Sequence, residues 1–142
     1  MVLDLCAGTG GLGIEALSRG ARFCSFAERD RQALNAIRRN LAATGLSEQA
    51  AILSRDVISS LHGLIARKDR FDLILFDPPY QSDLYGQVPA LVDTGNLLND
   101  NGLLVIEYSV HHPLPPCKGR LVCRDTRIYG DTVLDFYTMG DV

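Results

Sequence analysis

The chain has 142 residues, 46% of them hydrophobic, with a formal net charge of −3. That length gives one domain, residues 1–142, with a sizeable core, and no apolar run approaches the roughly 20 residues that cross a bilayer. The charge neither demands nor forbids a nucleic-acid partner, although Arg, the residue suited to phosphate forks and base stacking, supplies twelve of the fourteen basic residues. The start of the chain has neither the basic opening nor the long apolar core of a secretory signal. Cys6, Cys24, Cys117 and Cys123 form no C-x-x-C pair and no metal-ligand spacing. They read as reduced thiols, Cys6 and Cys24 within buried strands, which points to a cytoplasmic protein with no membrane association. His62, His111 and His112 have no acid or cysteine at ligand spacing, so no metal site is expected.

In chain order, residues 2–6 form a short apolar strand. A Gly-rich turn and a helix over about 12–18 follow, and Gly20 fits the stop of that helix. Residues 23–27 read as a second strand. Asp30 caps a helix whose Ala33, Leu34, Ile37 and Leu41 share one face, ended by Gly45. A third strand spans 50–53, and Val57, Leu61, Leu64 and Ile65 give the next helix its apolar stripe. Residues 71–76 are a fourth, buried strand. A helix over about 83–98 follows, with Pro89 disturbing its first turns, and then a fifth strand over 103–108. Residues 109–119 hold three prolines and read as a loop. Strands over 121–128 and 132–137, joined at Tyr129-Gly130-Asp131, form an antiparallel hairpin. The expected architecture is α/β: a mostly parallel open sheet with helices on both faces and a C-terminal hairpin.

Two stretches carry chemistry. Gly8-Thr9-Gly10-Gly11-Leu12-Gly13 matches G-x-G-x-x-G between a strand and a helix, with Glu28 at the end of the second strand to accept from ribose hydroxyls. Such a turn serves a dinucleotide, with pyrophosphate at the helix N-terminus, or S-adenosylmethionine, which has no phosphate. Asp4, inside the first strand, either orients a cationic methionine end or ties down the amides of the loop. Asp56 either accepts from an adenine amino group or caps the following helix. The second stretch, Asp77-Pro78-Pro79-Tyr80, follows the fourth strand at once. Two prolines cannot extend a strand, so an acid, rigid carbonyls and a ring are presented at the carboxyl end, where open α/β sheets bind ligands. That set suits gripping a planar base by its amino group.

Together these features resemble class I S-adenosylmethionine-dependent methyltransferases. The run Asp4-Leu5-Cys6-Ala7-Gly8-Thr9-Gly10-Gly11-Leu12-Gly13-Ile14-Glu15-Ala16-Leu17-Ser18-Arg19-Gly20-Ala21 resembles, more narrowly, the RsmD family of bacterial methyltransferases acting on guanine N2 of 16S ribosomal RNA. The resemblance implies a Rossmann-like, seven-stranded sheet of order 3-2-1-4-5-7-6, which sets the first and fourth strands side by side. It implies S-adenosylmethionine as cofactor, held by Asp4, Cys6, Ala7, Gly8, Thr9, Gly10, Glu28, Arg29, Asp56, Val57 and Asp77. It implies Asp77, Pro78 and Tyr80 as the catalytic set, with Pro79 and Tyr80 on the substrate. The partner is then 16S ribosomal RNA, free or in a small-subunit particle, and the protein a monomer.

On this reading Asp77 and the Pro78 carbonyl accept the two N–H groups of the exocyclic amine, and Tyr80 stacks on a base drawn from its helix or loop. The alternatives are an amino-methyltransferase acting on adenine or a glutamine side chain, an NAD-binding oxidoreductase, and a cofactor-binding remnant without catalysis. The family carries a segment before the first strand, and the expectation is that it is absent here, because the chain is truncated or misannotated or because the lineage has lost it. The expectation is that its absence weakens cofactor and RNA binding.

Overall fold

A computed structural model describes residues 1–79, 83–117 and 119–140. Seven strands form one sheet: β1 (Val2–Leu5), β2 (Cys24–Ala27), β3 (Ala50–Leu53), β4 (Phe71–Phe76), β5 (Leu98–Ser109), β6 (Leu121–Tyr129) and β7 (Thr132–Met139). Among the described residues, four α-helices connect them: α1 (Gly11–Ser18), α2 (Arg31–Thr44), α3 (Val57–Ala66) and α4 (Leu84–Thr94). The sheet order is β3-β2-β1-β4-β5-β7-β6, parallel from β3 to β5 and antiparallel through β7 and β6. The order that the resemblance implies is the one observed. Among the described residues, no helix is long and apolar enough to cross a membrane.

The alternating side chains of the central strands divide the core between the two faces. Leu3, Leu5, Ile74 and Phe76 pack with Leu61 and Leu64 of α3 and Val88 and Val92 of α4. On the opposite face Val2, Cys24 and Phe26 meet Leu17 of α1 and Ile37 and Leu41 of α2. Every residue of β1 and β2 is buried, the pattern of strands covered on both sides. The edge strand β6 is exposed beyond Leu121 and carries Arg124, Asp125 and Arg127, charges that oppose edge-to-edge pairing.

The structure corrects the sequence reading in two places. α4 stops at Thr94 rather than near 98, because Gly95 caps it and Asn96 turns left-handed at φ 55°. Leu98 then already pairs with Phe71, while Leu103 pairs with Leu73, so three extra residues bulge from β5. Within that bulge Asn101 is left-handed, and a Cβ on Gly102 would press on the Asn99 and Phe71 carbonyls. No run of alternating apolar residues announces such a start, since Asn99, Asp100 and Asn101 read as a turn. The second correction is Cys6. It lies outside β1, in a left-handed conformation at φ 59°, and is half-buried. Cys24 is a buried free thiol within β2, as expected.

Candidate active site at the strand ends

β1 delivers the chain into a tight loop through Cys6, Gly8 and Gly10, all three at positive φ. Glycine meets this demand without a Cβ penalty at two of the three. The glycines then divide the work. A Cβ on Gly8 would meet nothing within 4 Å, so that position lies open. A Cβ on Gly13 would run into the Phe26 ring and stand 2.8 Å from Cys24 Sγ, so Gly13 is what lets α1 lie down on β2.

Three of the loop's amides are already occupied. Gly8 N–H donates to Glu28 Oε1 at 2.8 Å, Gly10 N–H to the Ala7 carbonyl, and Gly13 N–H to Asp4 Oδ2 at 3.0 Å. Asp4 is buried, and burial raises its carboxyl to about 7 although the Gly13 bond pulls the other way; the Glu28 charge adds to the rise. Of its two readings from sequence, the tie to a loop amide is the one seen. Glu28 receives two further bonds, from Arg29 and Asp30 N–H at 3.0 and 2.9 Å on Oε2. Of the roughly four lone-pair sites on a carboxylate, one remains, on Oε1.

A cavity of about 870 Å³ opens over these strand ends. Its wall takes Cys6 and Gly8 from the loop, Glu28 and Arg29 from the end of β2, and Asp56 and Val57 from the start of α3. Asp77, Pro78 and Pro79 follow β4, and Glu107 lies on β5. Seven of the expected cofactor residues therefore come together: Cys6, Gly8, Glu28, Arg29, Asp56, Val57 and Asp77. Asp4, Ala7, Thr9 and Gly10 do not line the cavity. Thr9 turns outward and its carbonyl accepts from Asn40 at 3.0 Å, while Gly10 is buried beside Ile37. Tyr80 lies outside the described residues.

Asp56 caps α3, accepting from Ser59 N–H at 3.1 Å, and its bonds to Ser59 hold its carboxyl below the usual range. It also faces the cavity, so the cap and the cavity acceptor coexist in one side chain. Around the turn after β4 stand two residues that motif reading did not find. Buried Tyr85 on α4 donates towards the Glu107 carbonyl at 3.1 Å and the Pro78 carbonyl at 3.3 Å, with its ring edge-on to Phe76. Glu107 stands beside Asp77, because Phe76 pairs with Ile106 and each acid is the next residue along the chain. Withdrawal from water, the hydrogen bond and charge of Glu107, and the Asp4 charge together raise Asp77 to about 7. Solvent still reaches Asp77 through the cavity mouth, so its withdrawal is partial. Cys6 is pushed up to about 12, chiefly by burial and then by the charge of Glu28, so it is no nucleophile here.

The family model described as Conserved hypothetical protein 95 matches residues 1–138. The chain belongs to that family. The Bacillus subtilis protein named "Putative rRNA methyltransferase YlbH" is 37% identical over 135 residues, covering 95% of this chain and 73% of that one. Ribosomal RNA small subunit methyltransferase D of Haemophilus influenzae is 34% identical over 113 residues, 79% of this chain and 58% of its own length. The solved structure of "Putative methyltransferase yhhF from Escherichia coli" superposes with a TM-score of 0.87 at 27% identity, covering 99% of this chain and 77% of that one. The resemblance to the RsmD family thus stands, and the fold is that of class I methyltransferases.

Proposed function

We propose that this protein transfers a methyl group from S-adenosylmethionine to the exocyclic N2 amine of a guanine in 16S ribosomal RNA. One observation carries the reading: the Gly8 loop, Glu28, Asp56 and the Asp77-Pro78 turn line a single cavity at the carboxyl ends of parallel strands. The relatives that are named ribosomal RNA methyltransferases support the choice of substrate.

The donor set fits a cationic cofactor better than a dinucleotide. Glu28, Asp56, Asp77, Asp83 and Glu107 line the cavity against two cations, Arg29 and Arg55. A pyrophosphate at the loop would meet amides already bonded to Asp4 and Glu28, and would face both carboxyl groups. S-adenosylmethionine is positively charged, and its volume suits a cavity in the usual range for small-molecule sites. The free acceptor site on Glu28 can take one ribose hydroxyl, and Asp56 can take an adenine amino proton.

When bound, the cofactor supplies a methyl group activated by a sulfonium, so the protein's task is to position the amine. A guanine amine is a poor nucleophile, because its lone pair is delocalised into the ring. Asp77 accepts one of its N–H groups and the Pro78 carbonyl the other, which favours a pyramidal nitrogen with its lone pair aimed at the methyl. Tyr85 steadies that carbonyl by donating to it, leaving one lone pair for the substrate. Fixing the two reactants in line supplies much of the acceleration.

Mixing the protein with labelled S-adenosylmethionine and small-subunit RNA from cells lacking the modification tests the reading. Label in the RNA is expected with the wild-type chain, and Asp77→Ala should bind cofactor without transferring it. Near-normal turnover by that variant would overturn the mechanism.

A further inference from the structure

We infer that Glu107 is a positioning residue that makes Asp77 the proton acceptor of the reaction, the two carboxyl groups acting as one unit. This rests on the amine methylation proposed above and goes a step beyond it.

The placement is set by the sheet. β4 and β5 are parallel neighbours with Phe76 opposite Ile106, so their next residues leave the sheet side by side at the cavity. Ile106 is fully buried, and Glu107 is the acid at which β5 first meets the cavity. The Tyr85 hydroxyl reaches the main-chain carbonyls of both Pro78 and Glu107. It thereby ties the turn after Asp77 to the strand that carries its partner. Asp77 and Glu107 thus leave neighbouring strands at matched positions into one cavity, and partial withdrawal from water, followed by the neighbouring Glu107 carboxyl, raises the proton affinity of Asp77.

The surroundings do not offset this. Glu107 from β5 and Asp4 from β1 act on Asp77, and its cavity is also lined by Cys6 from the loop, Glu28 and Arg29 from the end of β2, Arg55 and Asp56 before α3, and Asp83 before α4. Partial withdrawal from water acts first on the Asp77 carboxyl, followed by Glu107 and Asp4, both acids, and neither arginine is among the causes. Asp77 therefore has a greater proton affinity than an ordinary aspartate, and so pulls harder on an N–H as the nitrogen commits its lone pair. The step balances. The amine nitrogen forms a bond to the methyl carbon, and the carbon–sulfur bond breaks with its electrons retained on sulfur as a thioether. The proton displaced from nitrogen passes to Asp77, which later returns it to water.

The test is the pH dependence of kcat/KM for RNA methylation, alongside a carboxyl-carbon NMR titration of Asp77 in the cofactor-free chain. In the wild type both should show a midpoint near the value of about 7. Glu107→Gln keeps the shape of the side chain but removes its charge and its proton. Its midpoint should move down by at least about one pH unit, and its high-pH plateau should fall by roughly 3–10-fold. A purely structural role would lower the rate and leave the midpoint in place, and that result overturns the inference. Asp77→Asn is the second variant, usable if Glu107→Gln does not fold; it should erase the limb near neutrality, and a surviving limb overturns the assignment. A wild-type chain that methylates no RNA would fail the functional reading and this inference with it. An active wild type with an unmoved midpoint in Glu107→Gln would fail this inference alone.

Discussion

The two sides of the cavity use the same residue type in opposite ways. On the side of β2 and β3, the carboxylates find backbone amides: Glu28 takes three and Asp56 caps α3. They are fixed in place, and Asp56 is held below its ordinary range. On the side of β4 and β5, Asp77 is partly withdrawn from water and finds another acid, Glu107, and is raised to about 7. Amide-held carboxylates make rigid acceptors, suited to recognising hydroxyl and amino groups of a cofactor. A carboxyl that meets its like gains proton affinity, suited to a step in which a proton must leave. The strand order places both kinds in one cavity, because β1 lies between β2 and β4.

The difference can be broken from the acceptor side first. Asp77→Ala removes the amine's acceptor and should lower methyl transfer by about 10²–10⁴-fold, with cofactor affinity, read by calorimetry, nearly unchanged. Next comes Asp4, which lies beneath the loop and belongs with the raised acids. Its folded-state value of about 7 stands above the usual aspartate value, so the folded chain binds the extra proton between about pH 4 and 7. Stability therefore falls as pH rises through that window, by about 2–4 kcal/mol from this group. Asp4→Asn keeps an oxygen for Gly13 N–H and should flatten that loss, measured by urea unfolding at pH 5 and pH 8. An equal loss in both proteins would remove Asp4 from the account.

Gly13→Ala acts by packing alone, at the contact of α1 with β2. Its Cβ would overlap the Phe26 ring, and the strain should cost about 1–3 kcal/mol, visible as a lower Tm. The smallest effect is expected from Glu28→Gln, which keeps one acceptor oxygen but turns an NH2 towards a backbone N–H and loses the charge at the cavity. Cofactor affinity should weaken by roughly 3–10-fold with kcat at saturating cofactor little altered, which would sharpen the assignment of that side to binding.

Most of the strand frame was legible, because buried parallel strands are short apolar runs and their helices carry a clear stripe. The hairpin, the Gly loop and the position of Asp77 at a strand end were legible for the same reason: each depends on neighbouring residues. What stayed hidden depends on pairing. Glu107 reads as one acid in a strand until β4 and β5 are set in register, and its neighbourhood with Asp77 spans thirty positions of chain. Tyr85 looks like a helix residue until α4 folds back over the turn. The early start of β5 was masked by three polar residues that bulge out of it. The two readings of Asp56 could not be separated by sequence, because the residue that caps α3 also lines the cavity. The part expected of Tyr80 lies outside the described residues and rests on the resemblance.

The most direct measurement is the identity of the methylated nucleoside. Small-subunit RNA from cells lacking the modification, treated with this protein and S-adenosylmethionine, is digested to nucleosides and analysed by mass spectrometry. The account predicts N2-methylguanosine, formed by the wild type and absent with Asp77→Ala. Methyl groups on adenosine, or N2-methylguanosine formed equally by Asp77→Ala, would contradict it.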